Sequence, residues 1–334
     1  MLILGIESSC DETSAAVVRI DGKERVVLSN IIASQIDTHR LYGGVVPEIA
    51  SRAHIEAISS ITARALEEAE LNLSDIELIG VTAAPGLIGA LLVGVNFAKS
   101  LAYANNIPLV GINHIRAHVA AAYLAYPDLE PPALALVVSG GHSAIYDIKT
   151  PVDFTEIGST RDDAVGEAFD KVGRLLGLPY PAGAAFDRLA NEGDETAVSL
   201  PSPAIGGQNL DFSFSGLKTA AVNYLHTCEQ RGIVPDRGDL AASFTKSVVE
   251  AFAQKLEGAL RLTGHKRLIV AGGVAANSHL RRRLYTLCEL MQVKLYIPPL
   301  SLCGDNAAMV AAQAYYEYLS GKRDGTDLNA SATV

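Results

Sequence analysis

The chain has 334 residues, 49% of them hydrophobic, and carries 27 Lys and Arg against 37 Asp and Glu for a formal charge of −10. That length and apolar content suffice for a sizeable core and suggest two domains of ordinary size. The acidic balance excludes a protein that holds nucleic acid by bulk charge, leaving only a local basic face or a partner for such a role.

The first residues, Met1–Ile6, have no basic region before them and meet Glu7 at once. They predict a buried strand, not a signal peptide. Four cysteines (Cys10, Cys228, Cys288, Cys303) without a CxxC pair predict reduced thiols in a cytosolic protein. A hairpin follows, with strands over Leu2–Ile6 and Ser14–Ile20 around a polar turn and Asp21-Gly22 as the next turn signal. Residues 47–71 show helical spacing, with Ile49, Ala53, Ile55, Ile58, Ile61 and Leu66 in register. A short strand at Leu78–Val81 leads through Pro85-Gly86 to a helix over 87–104 that is rich in small residues. Its stretch Leu87–Val95 is the most membrane-like in the chain, but it is too short to span and runs into Asn96 and Lys99. A soluble, cytoplasmic protein with no membrane segment is expected.

A strand at 108–112 and a helix at 114–126 precede Pro131-Pro132, where a domain boundary is placed. A second strand–turn–strand unit (134–138, Ser139–His142, 143–148) mirrors the first hairpin and suggests internal duplication. From 160 to 264 the pattern is helical, with stripes at Val165, Phe169, Val172 and Leu176, at Leu217, Ala221, Tyr224 and Cys228, and at Phe244, Val248, Phe252, Leu256 and Leu260. Then come a strand at 268–271, Gly272-Gly273, a helix from about Asn277, a strand at 295–297 and a helix over 307–319. The polar tail from Gly321 is expected to fray. The domains are thus an N-terminal lobe of residues 1–130 with the helix at 304–322, a C-terminal lobe of 131–303 with a helical insertion at 160–264, and a frayed tail at 323–334.

Three turns could present backbone N–H groups to an anion: Glu7–Thr13, Ser139–Ser143 and Gly272–Asn277. None fits GxxxxGK[ST], which disfavours a P-loop nucleotidase. His114 and His118 are four apart on a helix, so both imidazoles lie on one face at a spacing that suits one metal ion. Ile115 stands where HExxH proteases need their glutamate, so protease chemistry lacks its base. Asp305, in a Gly-Asp-Asn turn after a strand, is the candidate third ligand, and two histidines with one carboxylate suit iron or zinc. Asp170 and Asp187 could hold ribose hydroxyls or a metal-bound water, or be solvated helix charges. The basic runs Lys266-Arg267 and Arg281–Arg283 flank the third turn.

Six ordered stretches then carry a resemblance: Leu4–Thr13, His114–His118, Val138–His142, Gly166–Lys171 with Pro181–Gly183, Ala271–Asn277 and Gly304–Asn306. Together they resemble the TsaD family, the tRNA N6-adenosine threonylcarbamoyltransferases, from about residue 2 to 320. The resemblance implies an α/β actin-like fold with two ribonuclease-H-like lobes and a cleft between them. It implies a divalent metal, usually iron with zinc as the alternative, on His114, His118 and Asp305. It also implies that Val137, Val138, Ser139, Gly140, Gly141, Asp170, Gly183, Asp187 and Asn277 contact the substrate threonylcarbamoyl-AMP, with an ATP- or AMP-type nucleotide in the same cleft. The acceptor would be the N6 amine of the adenosine just 3′ of the anticodon, in tRNAs reading codons that begin with A. Implied partners are tRNA, a shorter paralogue docking on the N-terminal lobe through the helix at 87–104, and a P-loop ATPase. Asp11 or Glu12 could accept the amine proton, and no sequence feature picks between them. The alternatives are an ATPase or kinase of the same fold and a nucleotide-switched scaffold.

Overall fold

The computed structural model describes residues 1–207 and 209–333. In chain order the elements are β1 (Leu2–Glu7), β2 (Glu12–Asp21), β3 (Glu24–Ser34), α1 (Ile36–Arg40), α2 (Pro47–Glu68), β4 (Leu78–Ala84), α3 (Ile88–Asn105), β5 (Leu109–Asn113), α4 (His114–Ala125) and β6 (Ala133–Val138). There follow β7 (Ser143–Thr150), β8 (Asp153–Ser159), α5 (Val165–Leu175), α6 (Gly183–Ala190), α7 (Ser215–Gln230), α8 (Arg237–Thr263), β9 (Arg267–Ala271), α9 (Ser278–Met291), β10 (Lys294–Tyr296) and α10 (Ala307–Leu319). They form two compact units, one of Met1–Pro131, Lys149–Phe154 and Pro298–Val334, the other of Pro132–Ile148 and Thr155–Ile297.

The first unit is built on a sheet of order β3-β2-β1-β4-β5. Its first three strands are antiparallel neighbours, and β1, β4 and β5 run parallel. Alternate residues of β1 explain its unbroken apolar run. Leu4 and Ile6 join Ile58, Val81, Val95 and Ala98 in a core beneath α2 and α3. Gly5 faces α10 instead, where a Cβ would stand 2.1 Å from the Ala307 carbonyl oxygen. A strand covered on both faces has no polar alternation to show. The hairpin read from the sequence gains a third strand here, since β3 pairs with β2 along its whole length. Ile55 faces outward, at 64% exposure, although it keeps the helical spacing of its neighbours.

The tail, expected to fray, is held against the sheet at several of its described residues. Asp324 bridges to Leu109 at the outer edge of β5, its carboxylate accepts from Gly111 N–H, and Lys322 donates to the Gly111 carbonyl. Leu328 packs into the core, and Ser331 N–H donates to the Ala83 carbonyl. An open sheet edge offers unpaired backbone groups, and the tail satisfies them. Val334 and Gln208 lie outside the described residues.

The second unit repeats the strand order as β8-β7-β6-β9-β10, with β6 and β7 antiparallel and β6, β9 and β10 parallel. Between β8 and β9 lie α5 to α8, whose aromatic stripes meet as edge-on and tilted ring contacts among Phe169, Phe186 and Phe244. Both units are therefore of ribonuclease-H type, and two such units make the actin-like α/β fold.

Gly5→Ala should destabilise the first unit by about 1–3 kcal/mol, because the added methyl meets backbone that cannot swing aside. Thermal unfolding checks this; an unchanged midpoint would show that α10 does not rest on β1 as described.

Candidate active site

In the first unit the polar side chains collect at the carboxyl ends of β1, β4 and β5, where ligands bind in open α/β sheets. Asn113 ends β5 and caps α4, accepting from the Ile115 and Arg116 N–H groups. His114 is therefore the first helical residue, and His118 follows one turn later. Their rings meet edge-on with centroids 4.6 Å apart. Asp305 precedes α10, which packs against α4. Its turn is fixed by Asn306, whose side chain accepts from Met309 N–H and donates to the Gly304 carbonyl. Ala307 N–H donates to the Ser14 hydroxyl, anchoring the same turn. Two helix N-termini thus lie side by side, a favourable setting for a carboxylate.

The three side chains converge: His114 Nε2 is 3.6 Å and His118 Nε2 3.2 Å from Asp305 Oδ1. One donor atom from each lies within 4.8 Å of the others, a set of two nitrogens and one oxygen that could hold a metal ion. His118 is fully buried, and neither of its ring nitrogens has a hydrogen-bond partner among the described residues. Nε2 has only the Asp305 carboxylate nearby and Nδ1 has nothing, which is costly for a buried imidazole, and a cation between His118 and Asp305 would relieve it.

Sequence reasoning missed the partner behind His114. Glu7, the last residue of β1 and fully buried, places Oε2 3.2 Å from His114 Nδ1. The same oxygen accepts from the Thr82 hydroxyl at 2.6 Å, and Oε1 accepts from Ser9 N–H at 2.6 Å. A carboxylate on Nδ1 orients the ring so that Nε2 faces Asp305, the arrangement usual behind metal-bound histidine. Burial alone would raise the Glu7 carboxyl, but His114 and Ser9 outweigh it and hold it below the usual range. Burial would likewise lower His114; the Glu7 and Asp305 carboxylates override that and push it up to about 9. An acid closing an apolar strand was the one available signal.

The β1–β2 loop brings Asp11 and Glu12 to the same end of the sheet. Burial, then Asp305 and Asp11, push the Glu12 carboxyl up to about 9. Burial and the neighbouring carboxylates raise the Cys10 thiol, so it is an unreactive thiol despite its place beside the turn. This turn carries carboxylates, which sets it apart from an anion cradle.

In the second unit the remaining candidates lie on connected turns at the carboxyl ends of β6 and β9. Val137 and Val138 are fully buried in the β6–β7 ladder, so they fix where the turn leaves the strand. Ser139 closes the turn by accepting from His142 N–H, while Gly140 and Gly141 are exposed with open space where a Cβ would stand. Gly272 (φ +93°) crosses this turn so closely that a Cβ would lie 2.3 Å from the Val138 carbonyl oxygen. Asp170 accepts from Ala182 N–H and so fixes the turn before Gly183. Asp187 accepts from both the N–H and the hydroxyl of Ser278, and Asn277 caps α9 at Leu280 N–H. The two aspartates read as solvated charges or ribose contacts therefore also hold turns together. Arg281 donates to the Ala275 carbonyl, Arg282 to the Asn191 side-chain oxygen, and Arg283 pairs with Glu250, so all three residues of this basic run are engaged within the chain.

The family model of TsaD, tRNA N6-adenosine threonylcarbamoyltransferase, matches residues 26–312. The chain belongs to this family. A protein of that name from Clostridium botulinum is 53% identical over 328 residues, covering 98% of this chain and 96% of its own length. One from Listeria welshimeri is 50% identical over 332 residues, covering 99% and 95%. Among solved structures, full-length HypF superposes with TM-score 0.62 at 15% identity, over 100% of this chain and 47% of its own. Component A of the Acidaminococcus fermentans (R)-2-hydroxyglutaryl-CoA dehydratase gives 0.55 at 17%, covering 96% and 99%. A ROK family glucokinase from Streptomyces griseus gives 0.53 at 14%, covering 95% and 100%. At such identities these three speak for the fold alone, and it is the actin-like one. The TsaD-family chain is a transferase, and among the described residues no helix is long and apolar enough to cross a membrane.

The Glu7 and Asp305 carboxylates push the His114 imidazole up to about 9, so a metal ion held at this site would have to displace a proton from it at neutral pH. Affinity should rise with pH and level off near 9. Calorimetry in buffers of different ionisation enthalpy should show about one proton released at neutral pH; release of none would contradict the Glu7–His114–Asp305 pairing.

Proposed function

We propose that this chain moves the threonylcarbamoyl group from threonylcarbamoyl-AMP to N6 of the adenosine just 3′ of the anticodon, in tRNAs reading codons that begin with A. The observation that carries the proposal is the buried pair His114 and His118 with Asp305, braced from behind by Glu7, in a chain of this family.

The chemistry explains why such a site is needed. The lone pair of an adenine amine is delocalised into its ring, so the acyl group must arrive activated. In a carboxyl–phosphate anhydride the leaving group is AMP. N6 attacks the carbonyl carbon, the C–O bond to phosphate breaks with its electrons going to AMP, and the amine loses a proton. His114, His118 and Asp305 would hold one divalent ion, iron or zinc, which supplies Lewis acidity toward the threonylcarbamoyl group. The N–H groups of Gly140 and Gly141 serve the phosphate beside Ser139, with Val137 and Val138 fixing the strand end from which the turn leaves. Gly183, Asp170 and Asp187 receive the ribose side, and Asn277 sits at the helix end beside them. Asp11 or Glu12 takes the proton. The Glu12 carboxyl, pushed up to about 9, already holds a proton at neutral pH, which favours Asp11 as the acceptor.

The partners follow the same reading. A groove of about 430 Å³ between α2 and α3, lined by Ile55, Ile58, Leu92, Val93 and Phe97, supports docking of a shorter paralogue on this face. The small residues of α3 serve the chain's own packing, since a Cβ at Gly94 would meet the Ser8 hydroxyl oxygen at 2.3 Å and one at Gly89 the Ser51 hydroxyl oxygen at 2.5 Å. A P-loop ATPase completes the assembly, and the cytoplasm is its place. With a formal charge of −10 and Arg281, Arg282 and Arg283 engaged internally, much of the basic surface for tRNA belongs to partners.

Purified protein mixed with threonylcarbamoyl-AMP, tRNA and partners should yield threonylcarbamoyladenosine by nucleoside mass analysis. The His114→Ala, His118→Ala double variant should lose bound metal and lower transfer by roughly two orders of magnitude or more. Full activity and metal content in that variant would overturn the site.

A further inference from the structure

The loop carrying Asp11 and Glu12 is gripped from both ends by one side chain. His54, on α2, is fully buried. Its Nε2 lies 2.9 Å from the Cys10 carbonyl oxygen and its Nδ1 2.7 Å from the Thr13 hydroxyl oxygen. A carbonyl oxygen only accepts, so Nε2 carries the proton and Nδ1 accepts from the Thr13 hydroxyl. Burial holds the His54 pKa below its ordinary value, which keeps the ring neutral and this tautomer in place. Between the two bonded residues stand Asp11 and Glu12. Gln35 N–H adds a third hold, on the Asp11 carbonyl at 2.9 Å.

A buried neutral imidazole is worth keeping only where both nitrogens are satisfied, since an apolar side chain of similar volume would fill the space without desolvation cost. Both of its bonds land on the loop that carries the acids. We infer that His54 is a positioning residue: it clamps the Cys10–Thr13 loop so that the Asp11–Glu12 pair is held in fixed register with the His114–His118–Asp305 centre. This inference rests on the reading that the acid pair receives the amine proton.

The test compares the wild type with His54→Leu, His54→Gln and Thr13→Val in the reconstituted transfer reaction. His54→Leu should lower kcat by about 10- to 100-fold, as misplacement of a reacting group does, while KM for adenylate and tRNA moves less than about twofold. Metal bound per chain should stay at the wild-type level. Glutamine retains an N–H donor for the Cys10 carbonyl and should recover most of kcat. Thr13→Val, which leaves that bond in place, should lose less than His54→Leu. Amide hydrogen exchange at residues 10–13 should rise in His54→Leu and not in His54→Gln. Wild-type kcat and exchange in His54→Leu, or equal losses of kcat and metal in the leucine and glutamine variants, would overturn the clamp. Should His54→Leu fail to fold, unchanged kcat and exchange in Thr13→Val overturns it instead. An Asp11→Asn, Glu12→Gln double variant at full kcat would sink the acid-pair reading, whereas the exchange result judges the clamp separately.

Discussion

The hydrogen bond between Glu7 and His114 is the contact on which the rest of the centre depends. It joins the last residue of β1 to the first residue of α4, more than a hundred positions later. A carboxylate buried to this degree is tolerable only because Ser9 N–H, the Thr82 hydroxyl and the imidazole together saturate it. In return it fixes the ring's tautomer and rotation, leaving Nε2 free to face Asp305. Three strand ends must be adjacent for this to happen, and the order β1-β4-β5 makes them so.

Glycine decides how closely the elements approach. Gly5 lets α10 descend onto β1, and that sets where Asp305 stands ahead of the helix. Gly272 does the corresponding service in the second unit, letting the turn after β9 cross the end of β6. In each unit the useful groups therefore gather at the carboxyl edge of the parallel strands. The first unit puts carboxylates and imidazoles there; the second puts free backbone and open space around Gly140 and Gly141.

Much of this was legible in the sequence. The imidazole pair shows in the spacing of His114 and His118, and the turn Gly304–Asn306 announces Asp305 by its position after a strand. α10 runs from Ala307 to Leu319 as its apolar pattern predicts. What was hidden is non-local. β3 and β8 are edge strands whose mixed runs carry no clean period, so only pairing with β2 and β7 defines them. The tail is held by backbone bonds to Leu109 and Ala83, by the Asp324 and Lys322 side chains on Gly111 and by Leu328 as its apolar anchor, a pattern no local window displays. Glu7 looked like the start of a polar turn, because its role depends on a strand end it meets only after folding. His54 falls in step with Ala50, Ile58 and Ile61 on the buried face of α2, but that spacing gives no sign of its two bonds.

X-ray absorption on the iron- or zinc-loaded chain tests the central claim most directly. One ion per chain coordinated by two imidazoles and at least one oxygen, with one imidazole signal lost in His118→Ala, is the predicted result. Scattering without imidazole, or a spectrum unchanged by that substitution, would contradict it.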